Sequence, residues 1–298
     1  MLNDKINEIT FSYICSLFPK RKRDAHKGDF GRLLCITGSR RMPGAAAMSS
    51  YAALRCGTGL LTTATAEENI PALSSHCFES MYLPLLTDKE GFIMWHGNEE
   101  VLTDAVKKAD AVLLGCGLGL TDETILITKK IVQLADSPII IDADGLNAVS
   151  GCIDIITERK KPVILTPHPG EMARLLNITV QEVQNDRANA LKKAMELMPG
   201  AVIVLKGQGT LIGQREKILI NTTGNPGMSR GGSGDVLAGM TASFAAQGMS
   251  MLDAAAAGVY IHGMAGDIAS KRFSEQAMLP RDLIKCIPEV FLKIEENR

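Results

Sequence analysis

The sequence predicts an α/β fold with a mostly parallel central sheet and helices on both faces. Three observations predict it. Short apolar runs alternate with longer helical patterns almost from end to end. Several of these runs, such as Ala111–Gly115 and Ala201–Lys206, are nearly unbroken in Val, Ile and Leu, as strands are when helices cover both faces. The chain also carries 28 glycines and only 4% aromatic residues, which suits tight βα turns around a parallel sheet better than a β-sandwich.

Taken in order, the first strand is expected at Leu33–Thr37. Pro43 can open a helix at its first position, and Gly57 can end it after Ala45–Cys56. Strands follow at Leu60–Ala66, Met81–Leu85 and Ala111–Gly115. A helix from Thr121 through Thr124 to Leu134 is broken near Pro138, where the strand Pro138–Asp142 begins. Pro162–Thr166, Ala201–Lys206, Thr210–Gly213 and Lys217–Asn221 complete the strands. From Ser233 onward the pattern is helical: Asp235–Gln247, Leu252–Lys271 and Arg281–Glu296. No repeat, low-complexity segment or linker interrupts this order, so residues 1–298 are expected to form a single domain. A chain of this length can bury roughly 75% of its unfolded surface in one core.

Composition excludes several classes of function. With 32 basic and 33 acidic residues the net charge is −1, and no basic stripe offers a nucleic-acid footprint. The short basic run Lys20–Arg23 reads as a solvated loop. Seven cysteines, an odd number without a CxxC pair, indicate neither a disulfide framework nor a zinc site. Cys35 and Cys116 lie in apolar runs and read as small core residues. Charges at Asp4, Lys5 and Glu8 argue against a secretory signal, and no apolar stretch approaches the ~18 residues of a membrane span. A soluble protein of the reducing cytoplasm is expected.

Ligands on parallel sheets bind beyond the carboxyl ends of the strands, and the chemistry-bearing motifs stand there. The strongest runs from Asn221 to Asp235 and leads into a helix. Gly231, Gly232, Ser233 and Gly234 form a loop whose amides can turn inward with little side chain in the way. Amides of a first helical turn have no internal partner and favour negative charge, so the loop can cradle a phosphoryl group. Asp235 can act as a base there; the bland alternative is a helix cap. Lys206, at the end of an apolar strand and followed by Gly207, can meet phosphate, and Thr210 can add a hydroxyl, although an ordinary strand-turn-strand connection reads equally well.

Pro167 and Pro169 clamp His168 in an extended turn, rigidly displayed, with Glu171 entering the next helix. Gly115, Gly117 and Gly119 end another strand, but Leu120 breaks the full dinucleotide-binding spacing. Gly28 and Gly31 precede the first strand, while Gly38, Ser39, Gly44 and Ala45 to Ala47 would let a bulky ligand approach the backbone. Asp142 and Asp144 could approach a magnesium-bound phosphate through water or could equally cap a helix.

In this order, the segments HKGDFG, MPGAA, GCGLG, DADGLN, TPHPGE, LKGxxT and NPGMxxGGSGDVLAG resemble the NAD(P)H-hydrate dehydratase family of the ribokinase-like superfamily, over about residues 26 to 290. The resemblance implies a ribokinase-like three-layer sandwich and removal of water from hydrated NADH or NADPH with ADP or ATP, accompanied by Mg²⁺, as co-substrate. It implies that Asp235 deprotonates the ring hydroxyl, which takes a phosphoryl group, and that phosphate then departs. Lys206, Gly207, Gln208, Gly209, Thr210 and Gly234 would contact the nucleotide, and Ala45, Gly117, His168 and Asp235 the hydrated dinucleotide. It assigns no metal ligands. It further implies a homo-oligomer, tetrameric in the family, and no nucleic-acid or membrane partner.

Two departures stand out. Arg230 occupies a position where the family usually has a small polar residue. Many relatives carry an N-terminal epimerase domain, whereas this chain begins only about 25 residues before His26, so a separate NAD(P)H-hydrate epimerase is expected. A small-molecule kinase of the same fold is the rival enzyme reading; sugar kinases typically have Gly-Ala-Gly-Asp at the anion loop, and HKGDFG and TPHPGE argue against it. A nucleotide-binding sensor without catalysis is the rival from another class, opposed by the intact Asp235.

Overall fold

The computed structural model describes residues 6–298, so the leading charges Asp4 and Lys5 lie outside it. Its strands are β1 Ile6–Glu8, β2 Arg32–Ile36, β3 Leu60–Ala66, β4 Met81–Leu85, β5 Ala111–Leu114, β6 Ile139–Ile141, β7 Val163–Leu165, β8 Ala201–Leu205, β9 Thr210–Gln214 and β10 Lys217–Asn221. They form one ten-stranded sheet in the order β1-β10-β9-β8-β7-β6-β5-β2-β3-β4.

The unbroken apolar runs explain why this sheet is buried on both faces. Side chains alternate along a strand, and alternate residues here feed two separate cores. Leu113, Ile140, Ile164 and Val202 enter one core, and their neighbours Leu114, Ile141, Leu165 and Ile203 enter the other. Strands β5 to β8 pair in parallel because helices connect them. The turns into and out of β9 are too short for a crossover, so β9 runs antiparallel to both β8 and β10.

Thr37, Gly115, Asp142, Thr166 and Lys206, expected as strand residues, each stand one position beyond the last residue of their strand. Their amides still donate to the neighbouring chain, Thr37 to the Ala64 carbonyl, Gly115 to Ile36, Asp142 to Leu114, Thr166 to Ile141 and Lys206 to Pro167, so these residues close the ladder at the carboxyl edge. β1 was not expected: it is a three-residue, exposed strand that pairs in parallel with β10, and it has no apolar run to announce it.

The helix Ser233–Ala246 carries Asp235 in its first turn, and every residue from Val236 to Ala246 is buried. It packs on the sheet with the helices Pro43–Arg55 and Met251–Ala277, which also touch the sheet, against it. At the contact with the first of these, a Cβ added to Gly239 would come within 2.1 Å of the Ser49 carbonyl oxygen, so only glycine permits this approach. Met251–Ala277 runs further than the sequence pattern indicates, across a kink at Ser274 with φ +64°. No helix among the described residues is long and apolar enough to cross a membrane.

Candidate active site

The carboxyl ends of β6, β7 and β8 converge on the start of the Ser233–Ala246 helix around a cleft of about 730 Å³, a size suited to a nucleotide-sized ligand. Gly232 caps this helix with φ +98°, a left-handed conformation that costs a side-chain-bearing residue. Gly231 has open space in front of it. A Cβ on Gly234 would project toward Lys206 Nζ and Asp142 Oδ2, 3.5 and 3.6 Å away. The glycine loop therefore leaves room between its amides and the carboxylates and amine beneath.

Those groups form a buried ionic network. Lys206 Nζ donates to Asp142 Oδ1 at 2.6 Å and stands 3.8 Å from Glu171 Oε2. Burial opposes the lysine's charge, but Asp142 and Glu171 outweigh it and hold the ammonium above its usual range. Burial pushes the Glu171 carboxyl up, against the pull of Lys206. Asp235 is raised to about 6, first by burial and then by the Asp142 charge, while a hydrogen bond from Cys116 and the charge of Lys206 oppose the rise. A carboxyl with this value is largely ionised at neutral pH yet a far better proton acceptor than an exposed aspartate.

Cys116 is the residue whose role its sequence context hid. It is fully buried, as its apolar run suggests, but its Sγ and one carboxylate oxygen from each of Asp142 and Asp235 lie within 4.8 Å of one another. The thiol is pushed up by burial and by both carboxylates, so it stays protonated and can donate to Asp235. A soft thiol makes this trio a poor closed site for Mg²⁺, which prefers oxygen ligands and retained water.

The two carboxylates of the Asp142–Asp144 segment have separate tasks. Asp142 meets Lys206, and Asp144 Oδ2 accepts from the Gly119 amide at 2.7 Å, closing the glycine turn after β5. Between them Ala143 holds φ +50° and ψ −119°, a strained non-glycine conformation of the kind that gathers at functional sites.

The predicted nucleotide residues lie together along one wall. Lys206, Gly207, Gln208, Gly209 and Thr210 line the cleft with the loop Gly231, Gly232, Ser233, Gly234 and Asp235. Arg187 straps their turn by donating to the carbonyls of Leu205, Lys206 and Gly209, and the Thr210 hydroxyl donates to the Gly207 carbonyl at 2.8 Å. His168 lines the same cleft. Its Nδ1 accepts from the Gly170 and Glu171 amides, capping the helix Pro169–Leu176, while Nε2 stands 3.3 Å from Glu171 Oε1. Burial, Lys206 and Arg174 lower its basicity, so the ring is neutral near pH 7.

Ala45 and Gly117 meet each other away from this wall: a Cβ on Gly117, whose φ is +66°, would come within 2.6 Å of Ala45 Cβ. The predicted nucleotide residues and His168 are thus gathered in one cleft, and Ala45 with Gly117 in a second spot next to Cys116. The sequence reading did not single out Asn225, Val259 or His262, which also line the cleft. The Asn225–Pro226–Gly227 turn was the available signal for the first; nothing in the helical pattern marks the other two.

This sheet, with a glycine-rich loop opening a buried helix at its carboxyl edge, defines a ribokinase-like α/β protein. The NAD(P)H-hydrate dehydratase family model matches residues 33–289. A bifunctional NAD(P)H-hydrate repair enzyme of Thermofilum pendens is 38% identical over 281 residues, 94% of this chain and 53% of that protein. The ADP-dependent (S)-NAD(P)H-hydrate dehydratase of Neisseria meningitidis serogroup B is 35% identical over 262 residues, covering 85% and 81% of the two chains. The Bacillus subtilis ADP/ATP-dependent NAD(P)H-hydrate dehydratase, co-crystallized with ATP/Mg²⁺, superposes with a TM-score of 0.83 at 29% identity, over 98% of this chain and all of that one. The chain belongs to the NAD(P)H-hydrate dehydratase family. It spans about half the length of the bifunctional relatives it matches.

Proposed function

We propose that this protein dehydrates the S form of hydrated NADH or NADPH, restoring the reduced cofactor and converting ADP to AMP, or ATP to ADP, with release of phosphate. The observation that carries the reading is the half-buried Asp235 carboxyl, raised to about 6, at the mouth of the Gly231–Gly234 loop. Family membership and the names of the Neisseria and Bacillus relatives support the substrate and the nucleotide. Residues 1–298 act as a single ribokinase-like domain, a reading supported by the one sheet through which every described strand runs.

In this reading Asp235 takes the proton of the ring hydroxyl. The freed oxygen attacks the terminal phosphorus, and the bond from that phosphorus to the bridging oxygen breaks, releasing the shortened nucleotide. The carbon–oxygen bond of the new phosphate ester then breaks, and phosphate leaves with its electron pair. Loss of a proton from the neighbouring carbon restores the ring double bond. Gly231, Gly232 and Gly234 hold the transferring group through backbone amides, which face developing negative charge without reorganising, while the Ser233 amide closes the loop on the Arg230 carbonyl. Lys206 to Thr210 bind the nucleotide; Ala45, Gly117, His168 and Asp235 meet the hydrate. Mg²⁺ arriving with the nucleotide neutralises phosphate charge. Asp142 and Glu171, oxygen donors on the cleft wall, fit contact to such an ion through its waters.

An enzyme selective for one epimer of the hydrate leaves the other behind, so the epimerase of the bifunctional relatives is its natural partner in the same repair. Seven free thiols suit a reducing cytoplasm. Exposed Phe78 and Met81, the latter on the edge strand β4, support a homo-oligomer, tetrameric as the resemblance implies. The test is incubation with NADH hydrate and ADP or ATP while the absorbance of reduced nicotinamide is followed. Recovery of that absorbance with stoichiometric phosphate is expected. A stable phosphorylated product without free phosphate would favour a kinase and overturn the reading.

A further inference from the structure

The cleft is short of positive charge. Its lining carboxylates are Asp142, Glu171 and Asp235, and its lining cations among the described residues are Lys206 and Arg230. Lys206 is already neutralised by Asp142 at 2.6 Å and Glu171 at 3.8 Å, and His168 is held toward its neutral form. A polyphosphate would bring several further negative charges into this space. Helix amides and a metal ion offset part of them, but no committed side chain offsets the rest.

Arg230 is placed to do so. It is exposed at the start of the glycine loop, and among the described residues it forms no ion pair. Its backbone is fixed, because its carbonyl accepts from the Ser233 amide at 3.2 Å and its amide donates to the Met228 carbonyl at 2.8 Å. Its guanidinium, by contrast, is held by a single neutral partner, the Gln276 carbonyl. Exchanging that contact for a forked, charge-assisted pair with phosphate is favourable, since a guanidinium matches phosphate oxygens two at a time.

We propose that Arg230 is a further nucleotide-binding residue, leaving the Gln276 carbonyl to clamp the phosphates of ADP or ATP beyond the first one. The inference rests on the nucleotide-dependent reading above. Calorimetric titration of the parent, Arg230→Gln and Arg230→Lys with Mg-ADP, Mg-ATP and AMP tests it. Glutamine can still donate to Gln276 but carries no charge. Arg230→Gln is expected to bind ADP and ATP about 10- to 100-fold more weakly, the range for losing a charge-assisted hydrogen bond, with AMP affinity held within about twofold and Arg230→Lys in between. Equal losses for all three nucleotides would assign Arg230 to loop structure and overturn the proposal, as would unchanged ADP and ATP affinities in Arg230→Gln. A parent protein that binds none of the three would overturn the nucleotide reading and this inference with it.

Discussion

At the scale of single residues, the proposed mechanism rests on Asp235, and the partial burial of its carboxyl makes two separable demands. Asp235→Asn keeps nearly the same volume and can still cap the helix, so fold and nucleotide affinity should survive. It cannot take the hydroxyl proton, and recovery of NADH from its hydrate should slow at least ~100-fold. Near-parental turnover in a folded Asp235→Asn protein would sink the mechanism. The same variant reports on charge. Because the folded carboxyl is raised to about 6, ionising it opposes folding, and the parent loses that stability as pH rises through about 6. The melting temperature of Asp235→Asn should therefore gain on that of the parent between pH 5 and pH 7; a constant gap would show that burial does not penalise this charge. The part of the site legible in the sequence is the part built from backbone: glycines mark where amides must face a ligand. The Lys206–Asp142–Glu171 network and the thiol of Cys116 were not legible as a unit, because β5, β6, β7 and β8 bring them together from positions far apart in the chain.

At the scale of elements, each apolar run became a strand and each capped pattern a helix, since a helix-covered strand is apolar on both faces and punctuated by turn residues. Expected strand ends overran by one residue at Asp142 and Lys206 because both amides still donate to the neighbouring chain, and hydropathy does not register where the ladder closes. The turn Pro167–His168–Pro169 shows the same overlap of structure and function. His168 caps the Pro169–Leu176 helix through Nδ1 and also lines the cleft, so its two roles need two variants. His168→Asn retains a good N-cap and His168→Ala does not. Both should weaken use of the hydrate with nucleotide affinity preserved. Only the alanine variant should lose stability as well, by about 1 kcal/mol on chemical denaturation. A collapse of nucleotide affinity in His168→Asn would move this histidine from the substrate to the nucleotide.

At the scale of the whole molecule, one sheet sets the division of labour. Its carboxyl edge bears the cleft wall proposed for the nucleotide, from β8 to the Ser233–Ala246 helix, and a separate spot at Ala45 and Gly117 beside β5. Cys116, next to Gly117, reaches Asp235 on the cleft wall, so the proposed phosphoryl transfer would take place where the two meet. This arrangement makes nucleotide binding a property of the folded state alone: the Gly231–Gly234 amides and the Lys206–Thr210 turn come from elements that only the sheet brings together. Ligand that binds only the folded form stabilises it by mass action, by about 2.7 kcal/mol at a hundredfold excess over Kd. Mg-ADP or Mg-ATP should accordingly raise the melting temperature by several degrees, in proportion to the logarithm of concentration once the site is saturated. The hydrate, bound at the other spot, should add its own increment. The effect should persist in Asp235→Asn, whose cleft is intact. Millimolar nucleotide that leaves the melting temperature of the parent unmoved would mean that this edge of the sheet does not receive it.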